Sequence, residues 1–370
     1  MATVRCASCA YPYSEDATPY LCPQCGGVFD FDAPPPVHLE RQEPTLPGLW
    51  RYRHSFNLPA GAPVVSLGEG STPLIPVPYQ DGQVWLKLES LNPTGSYKDR
   101  GSAVLLSQLA ARGVRQAVED SSGNAGASFA AYAARAGVRA RVFVPESASG
   151  PKRSQIEAYG AELVRVPGPR SSAAEAVLRD VQAGAAYASH AYLPFGLPGI
   201  ATIAYELVEQ LRVENTLPGT VIAPVGHGGL LLGLMRGFAG LQAAGEIPAQ
   251  PVYVGVQARA CAPVWLGCQR GLEAMAEVEE GPTVAEGVRV RRPVRAEAIL
   301  RELSQAGSGE IRAVEEPAIL PAYQEMARLG VHVEPTSALA WAVLQEIWGK
   351  VPEPIVLILS GAGLKYQPSS

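Results

Sequence analysis

The sequence predicts an α/β protein: two domains with parallel-rich twisted sheets flanked by helices, preceded by a small cysteine-rich module. Three observations carry this. From about residue 80, short apolar strands alternate with helical stretches, the rhythm of parallel strands joined by crossover helices. The chain has 370 residues, room for about two domains of ordinary size. Four of its six cysteines fall in two Cys-x2-Cys pairs near the N-terminus.

Those pairs are Cys6 with Cys9 and Cys22 with Cys25, with twelve residues between them. Two such knuckles suit four thiolates around a tetrahedral Zn²⁺, a closed and therefore structural site. Disulfide pairing or a metal-free module is the other reading, the weaker one in a reducing compartment. Residues 1–32 thus read as a zinc ribbon, and residues 32–48, "DAPPPVHLERQEPTLPG", as a proline-rich connector without periodicity. Cys261 and Cys268 lie far away and read as small apolar residues.

The alternation then runs in order. Residues 84–89 read as a strand and 98–113 as an amphipathic helix ended by Gly113. Residues 115–120 read as a strand, 124–137 as an Ala-rich helix, 139–146 as a strand, 152–160 as a helix and 161–166 as a strand. Later come a strand at 219–224, a helix at 229–241, a strand at 252–257, helices near 318–329 and 337–348, and a strand at 354–360.

Composition excludes several classes. A hydrophobic fraction of 47% with 18% charged residues describes a soluble, core-forming protein. The net charge of −5 argues against nucleic-acid partners. No run of about 18 apolar residues is present, so no membrane helix is expected. The N-terminal stretch lacks an apolar signal core, and a cytoplasmic location is expected.

In parallel sheets, ligands sit beyond the carboxyl ends of the strands. The loops there carry the chemistry. "NPTGSYKDRG" (92–101) is turn chemistry that ends in Lys98 at the mouth of a helix. "DSSGNAGAS" (120–128) would present the amides of Ser121, Ser122 and Gly123 to an anion at a helix N-terminus, with Asn124 as a further donor. Ser and Asn are equally good plain helix caps. "PVGHGGLLLG" (224–233) offers Gly226, His227, Gly228, Gly229 and Leu230 as a phosphate cup. It lacks the Gly-Lys-Ser/Thr of a P-loop and the full dinucleotide-binding spacing. "LILSGAGLK" (357–365) ends a strand in Ser360, a hydroxyl that can bond a heterocycle nitrogen or satisfy backbone. An amine, a ring-oxygen donor, a phosphate cup and a partner for a ring nitrogen are together what pyridoxal phosphate needs.

The motifs "LGEGSTPL" (67–74), "LKLESLNPTGSYKDRG" (86–101), "SSGNAGAS" (121–128), "VPESASGPKRSQIEAYGAELVRV" (144–166), "PVGHGGLLLG" (224–233), "VEPTSALA" (333–340) and "LSGAGLK" (359–365) carry a resemblance. The chain resembles the fold-type II pyridoxal-phosphate enzymes, the tryptophan synthase β superfamily. Within it the chain looks like the threonine synthases that carry an N-terminal zinc ribbon. The resemblance implies residues 33–101 as linker and start of a large cofactor domain, 102–200 as a small inserted α/β domain, and 201–370 as the remainder of the large one. It implies Lys98 as the lysine that forms the cofactor's Schiff base, and Asn124 at the ring 3′-oxygen. Gly226, His227, Gly228, Gly229 and Leu230 would hold the phosphate, with Ser360 at the pyridine nitrogen. Ser121, Ser122 and Gly123, with Ser71 and Thr72, would hold an amino-acid substrate. A homodimer is implied as well.

The implied reaction turns O-phosphohomoserine and water into threonine and phosphate. A hydroxyl at the pyridine nitrogen makes a milder electron sink than a carboxylate, which suits elimination and replacement. One departure stands against the phosphohomoserine reading. Residues 187–206, "YASHAYLPFGLPGIATIAYE", have Ser189 and His190 but no Arg and no Asn, and Leu230 stands where many threonine synthases place Asn. Lys152, Arg153, Arg100, Ser71, Thr72 and His190 are the remaining candidates to hold a substrate phosphate. A serine/threonine ammonia-lyase or a cysteate-synthase-like enzyme is the alternative. A binding protein on a dead enzyme scaffold would need a broken lysine motif or a basic ribbon face. Neither is present, since residues 1–32 hold one Arg and no Lys.

Overall fold

A computed structural model describes residues 3–33, 36–146, 150–168 and 170–367. Residues 147–149 of the 144–166 motif and Pro34 and Pro35 of the connector lie outside the described residues. In chain order, β1 (Val4–Cys6) and β2 (Phe29–Phe31) frame the cysteine module, and β3 (Leu74–Tyr79) and β4 (Gly82–Lys87) form a hairpin. There follow α1 (Lys98–Ala111), β5 (Gln116–Glu119), α2 (Asn124–Ala136), β6 (Arg139–Pro145), α3 (Pro151–Ala158), β7 (Glu162–Val166), α4 (Arg170–Gln182) and β8 (Ala186–Tyr187). Next come α5 (Leu197–Val213), β9 (Thr220–Pro224), α6 (Gly229–Ala243), β10 (Val252–Ala258), α7 (Pro263–Arg270) and α8 (Ala296–Ala306). The chain closes with β11 (Gly309–Val314), α9 (Glu316–Arg328), α10 (Pro335–Ile347) and β12 (Ile355–Ile358).

These elements form two compact units. One comprises Met1–Gly70, Asn92–Ile200 and Gln367–Ser370, the other Ser71–Leu91 and Ala201–Tyr366. In the first, four parallel strands run in the order β7-β6-β5-β8. Helix α4 packs Ala173, Ala176 and Val177 on the face that shows Val118, Phe143 and Tyr187. Helix α2 packs against β5 and β6, and α1 against α2. Helix α1 corrects an expectation. It is not amphipathic, because every residue from Asp99 to Leu109 is buried, as in a helix enclosed on all sides.

The cysteine module belongs to this unit and packs on it. The ring of Tyr13 meets Phe29 and Phe195 edge-on, at 4.7 and 5.0 Å between centroids. The Arg112 guanidinium, just past α1, lies 5.3 Å from the Tyr13 and Phe195 ring centroids. It also donates to the carbonyls of Ser14 and Glu15. Burial pushes the Tyr13 hydroxyl up, opposed by the Arg112 charge.

In the second unit, six strands run in the order β11-β10-β9-β12-β4-β3. All neighbours are parallel except β3, which runs antiparallel to β4 at the edge. The sequence analysis assigned no strand at β3, which carries Pro76 and Pro78. Both are exposed on an edge strand, where a missing donor leaves no ladder bond unmade. The sequence reading likewise passed over α4, β8, α5, α7, α8 and β11. Helix α5 carries Pro198 and Gly199 near its start, and proline is harmless in a first turn. The core lies between the sheet and helices α9 and α10, with Leu86, Ile222, Val254 and Leu357 against Ile319, Leu339 and Val343. Each such side chain contributes about 1.5–3 kcal/mol by leaving water.

Lys87, in the last position of β4, is fully buried. Its ammonium meets Glu206 Oε2 at 2.7 Å and also donates to the Thr72 carbonyl and Gln210 Oε1. The other oxygen of Glu206 accepts the Ser71 amide at 2.7 Å. All three lysine protons are therefore used. Lys87→Met should cost about 3–5 kcal/mol, because it strands the Glu206 carboxylate in the core. Lys87→Met with Glu206→Leu should recover much of that loss in denaturant unfolding. Equal stability of the single variant and the parent would contradict this account.

Candidate active site

Lys98 is half-buried and opens α1. The turn before it is closed by the Gly95 amide on the Asn92 carbonyl at 2.7 Å, with Gly95 at φ +86°. The buried carboxylate of Asp99 fixes the exit of the turn. It accepts the Thr94 amide and the Thr94 hydroxyl, each at 2.6 Å. Asn92 Oδ1 accepts the Gly70 amide at 3.0 Å. The Lys98 ammonium lies 4.8 Å from the centroid of the Tyr97 ring.

Glu69, next to Gly70, has no exposed surface. It accepts Trp50 Nε1 at 2.8 Å on Oε1, and the Leu67 amide at 2.8 Å and the Tyr132 hydroxyl at 2.7 Å on Oε2. Tyr132 lies on α2. Burial, with the charges of Asp99 and Glu69, pushes its hydroxyl far above the usual phenol range, which keeps it a donor.

The 120–128 loop ends β5 and starts α2. The Gly123 amide donates to Ser121 Oγ at 3.2 Å. The loop folds back closely, since a Cβ at Gly126 would lie 1.8 Å from the Ser121 carbonyl oxygen. Ser128 donates to Ser102 at 2.8 Å. One residue lies a turn beyond Asn124 and the other a turn beyond Lys98. Helices α1 and α2 thus meet one turn inside their N-terminal ends.

In the second unit, β9 and β12 are adjacent parallel strands. Residues 226–230 follow β9 and Ser360 follows β12, so both lie beyond the carboxyl ends of these strands. Gly228 caps α6 with φ +98°. A Cβ at Gly226 would lie 2.7 Å from the Gly287 carbonyl oxygen, and one at Gly228 would lie 2.6 Å from Ile299 Cδ1. This loop offers the backbone amides of three glycines at a helix N-terminus, with His227 between the first two, which fits a phosphate group. Ser360 is buried, with its hydroxyl 3.1 Å from Ser337 Oγ on α10.

Other candidates are placed less freely. Ser71 is exposed, with φ +51°. Thr72 is buried and its hydroxyl donates to Glu89 Oε1 at 2.7 Å, so that proton is committed. Arg100 is buried within α1. His190 Nδ1 lies 3.3 Å from Glu119 Oε1. Sequence reading missed Glu69, Glu119, Asp120 and the 286–288 segment beside Gly226. Only Glu69 had a local signal, an acid inside the glycine turn of "LGEGSTPL".

The sulfurs of Cys6, Cys9, Cys22 and Cys25 all lie within 4.8 Å of one another. The separations are 3.4 Å for Cys6–Cys25, 3.6 Å for Cys9–Cys22 and 3.4 Å for Cys9–Cys25. Zn–S bonds of about 2.3 Å at tetrahedral angles put sulfurs about 3.8 Å apart, whereas a disulfide needs about 2.05 Å. The cluster fits a metal. Cys261 is buried and Cys268 exposed.

A family model described as pyridoxal-phosphate dependent enzyme matches residues 65–361. Among curated relatives, the threonine synthase of Methanocaldococcus jannaschii is 32% identical, over 98% of this chain and 92% of its own. That of Methanosarcina acetivorans is 30% identical over the same shares. Among solved structures, a threonine deaminase from T.th. is 31% identical with a TM-score of 0.67, over 80% of this chain and 94% of its own. Maize serine racemase is 22% identical, also with a TM-score of 0.67, over 79% and 88%, a likeness of fold. The chain belongs to the pyridoxal-phosphate dependent enzymes of fold type II, as a threonine synthase-like lyase.

Proposed function

We propose that the chain converts O-phosphohomoserine and water into threonine and phosphate. The observation that carries this is the match to threonine synthases over 98% of the chain. Bound pyridoxal phosphate would supply an electron sink for charge developing at the substrate Cα. In the first unit, Lys98 is assigned to the cofactor's aldehyde carbon and Asn124 to its ring oxygen. Ser121, Ser122 and Gly123 of that unit are assigned to the substrate carboxylate, and Ser71 and Thr72, which belong to the second unit, are assigned as further substrate contacts. In the second unit, Gly226, His227, Gly228, Gly229 and Leu230 are assigned to the phosphate and Ser360 to the ring nitrogen.

Each assignment has a physical reason. The glycine loop offers amides and a helix dipole to an anion, with no side chain at Gly226, Gly228 and Gly229. The serine loop does the same for a carboxylate at the start of α2. Asp99 and Glu69 hold the Lys98 turn, so its amine can act as a positioned base. In the net reaction Lys98 takes a proton from Cα and then one from Cβ. Phosphate leaves Cγ, a proton returns there, water adds at Cβ, and Cα regains its proton. Four thiolates at these separations are assigned to a structural zinc. Homodimer formation in the cytoplasm belongs to the same proposal by family resemblance. Among the described residues, no helix is long and apolar enough to cross a membrane.

A second reading is an ammonia-lyase acting on threonine or serine. It is favoured by the 31% identity and TM-score of 0.67 to a threonine deaminase, and by the lack of Arg and Asn in residues 187–206.

Phosphate release from O-phosphohomoserine, measured beside ammonia release from threonine and serine, decides between them. The first reading expects phosphate and threonine in equal amounts. Ammonia from threonine without phosphate release would replace it with the second. Lys98→Ala should lower turnover at least about a thousandfold, because it removes the base. Near-parental turnover would sink the assignment. Protein prepared under reducing conditions should carry about one zinc per chain, and chelation or Cys6→Ser should unfold the module, since metal binding is its folding energy. Retained module structure without metal, by circular dichroism, would refute the zinc assignment.

A further inference from the structure

Among the described residues, the cysteine module sends Tyr20, which lies between its two knuckles, onto the sheet. Tyr20 stands two residues before Cys22 and packs against the cluster of Val118, Phe143, Ala173, Val177 and Tyr187. Its ring meets Tyr187 and Tyr192 edge-on, at 5.1 and 5.5 Å between centroids. Tyr187 ends β8 and pairs with Val118 of β5. It is 4% exposed, and its hydroxyl donates to Asp120 Oδ1 at 2.7 Å. Asp120 is the residue that immediately precedes Ser121. Burial, followed by the charges of Asp120 and Glu119, pushes the Tyr187 hydroxyl far up, so it remains a donor. Its neighbour His190 meets Glu119, the last residue of β5, at 3.3 Å. Both residues that lead into the serine loop are thus held from the segment on which the module rests.

We propose that the cysteine module is a positioning device for the 121–124 loop, acting through Tyr20, Tyr187 and Asp120. The proposal rests on the reading that this loop holds the substrate carboxylate. Edge-on aromatic contacts fix the Tyr187 ring from the module side. The hydrogen bond to a carboxylate then fixes where the loop leaves β5. The amides of Ser121, Ser122 and Gly123 gain affinity for an anion only if they are held together in place. The module therefore sets substrate affinity although none of its residues is assigned to substrate.

The test uses holoenzyme and L-threonine, which is the product on one functional reading and the substrate on the other. Binding is followed by the change in cofactor absorbance before turnover, with zinc content measured in parallel. Tyr187→Phe keeps the ring and removes only the hydroxyl. It should keep the zinc and the cofactor band, weaken L-threonine binding about tenfold, and raise the KM for whichever substrate is turned over, O-phosphohomoserine or L-threonine, with kcat nearly unchanged. Tyr20→Leu should weaken binding in the same direction with zinc retained. Arg5→Ala, an exposed position in the same module, should bind like the parent. If Tyr187→Phe and Tyr20→Leu lower only the melting temperature and bind L-threonine like the parent, the proposal fails and the contacts are merely structural. A parent without a cofactor band would instead refute the functional reading, and the proposal with it.

Discussion

The carboxylate of Glu69 sets the geometry around Lys98. It is fully buried, and a carboxylate there survives only if donors replace its water. Trp50, Leu67 and Tyr132 supply them. Satisfying one acid thus draws together the residue-50 segment, the glycine turn and helix α2. Gly70 passes that constraint to Asn92, and Asn92 closes the turn that ends at Lys98. Asp99 secures the other side by holding Thr94. Asp99 thus holds the lysine's turn directly, and Glu69 holds it through the neighbouring Gly70 and Asn92.

A similar economy governs the second unit. The Lys87–Glu206 pair joins β4 to α5 and also takes the Ser71 amide. The start of the "STPL" stretch is therefore fixed by a buried ion pair, while the loop after β9 is rich in glycine. The strong charges lie within the supports, and the surfaces assigned to anions are neutral amides at helix starts. Such amides bind phosphate or carboxylate without a buried counter-charge to desolvate.

Much of this was legible in the sequence, and the rest was hidden for identifiable reasons. The β5–α2, β6–α3 and β9–α6 alternations were readable because strand and helix periods differ and glycines punctuate them. The strand β3 was hidden because Pro76 and Pro78 mean a break anywhere but on an edge, and edge position is a tertiary fact. The α1 reading failed because a helix enclosed on all sides needs no polar face. Among the candidate site residues, Lys98 opens α1 and the 121–124 segment leads into α2, which packs against it, while 226–230 and Ser360 follow adjacent parallel strands. Thr72 proved to have its hydroxyl proton committed to Glu89. Tyr187 with Asp120 and Tyr20 with Tyr187 could not be read from spacing, since 67 residues separate the first pair and still more the second.

The central claim is that Lys98 carries the cofactor. The most direct measurement is to reduce the holoenzyme with borohydride, digest it and locate the pyridoxyl group by peptide mass mapping. The account predicts a single modified lysine, Lys98, within the "TGSYKDRG" peptide. A pyridoxyl group on Lys87, Lys152, Lys350 or Lys365, with Lys98 unmodified, would contradict it.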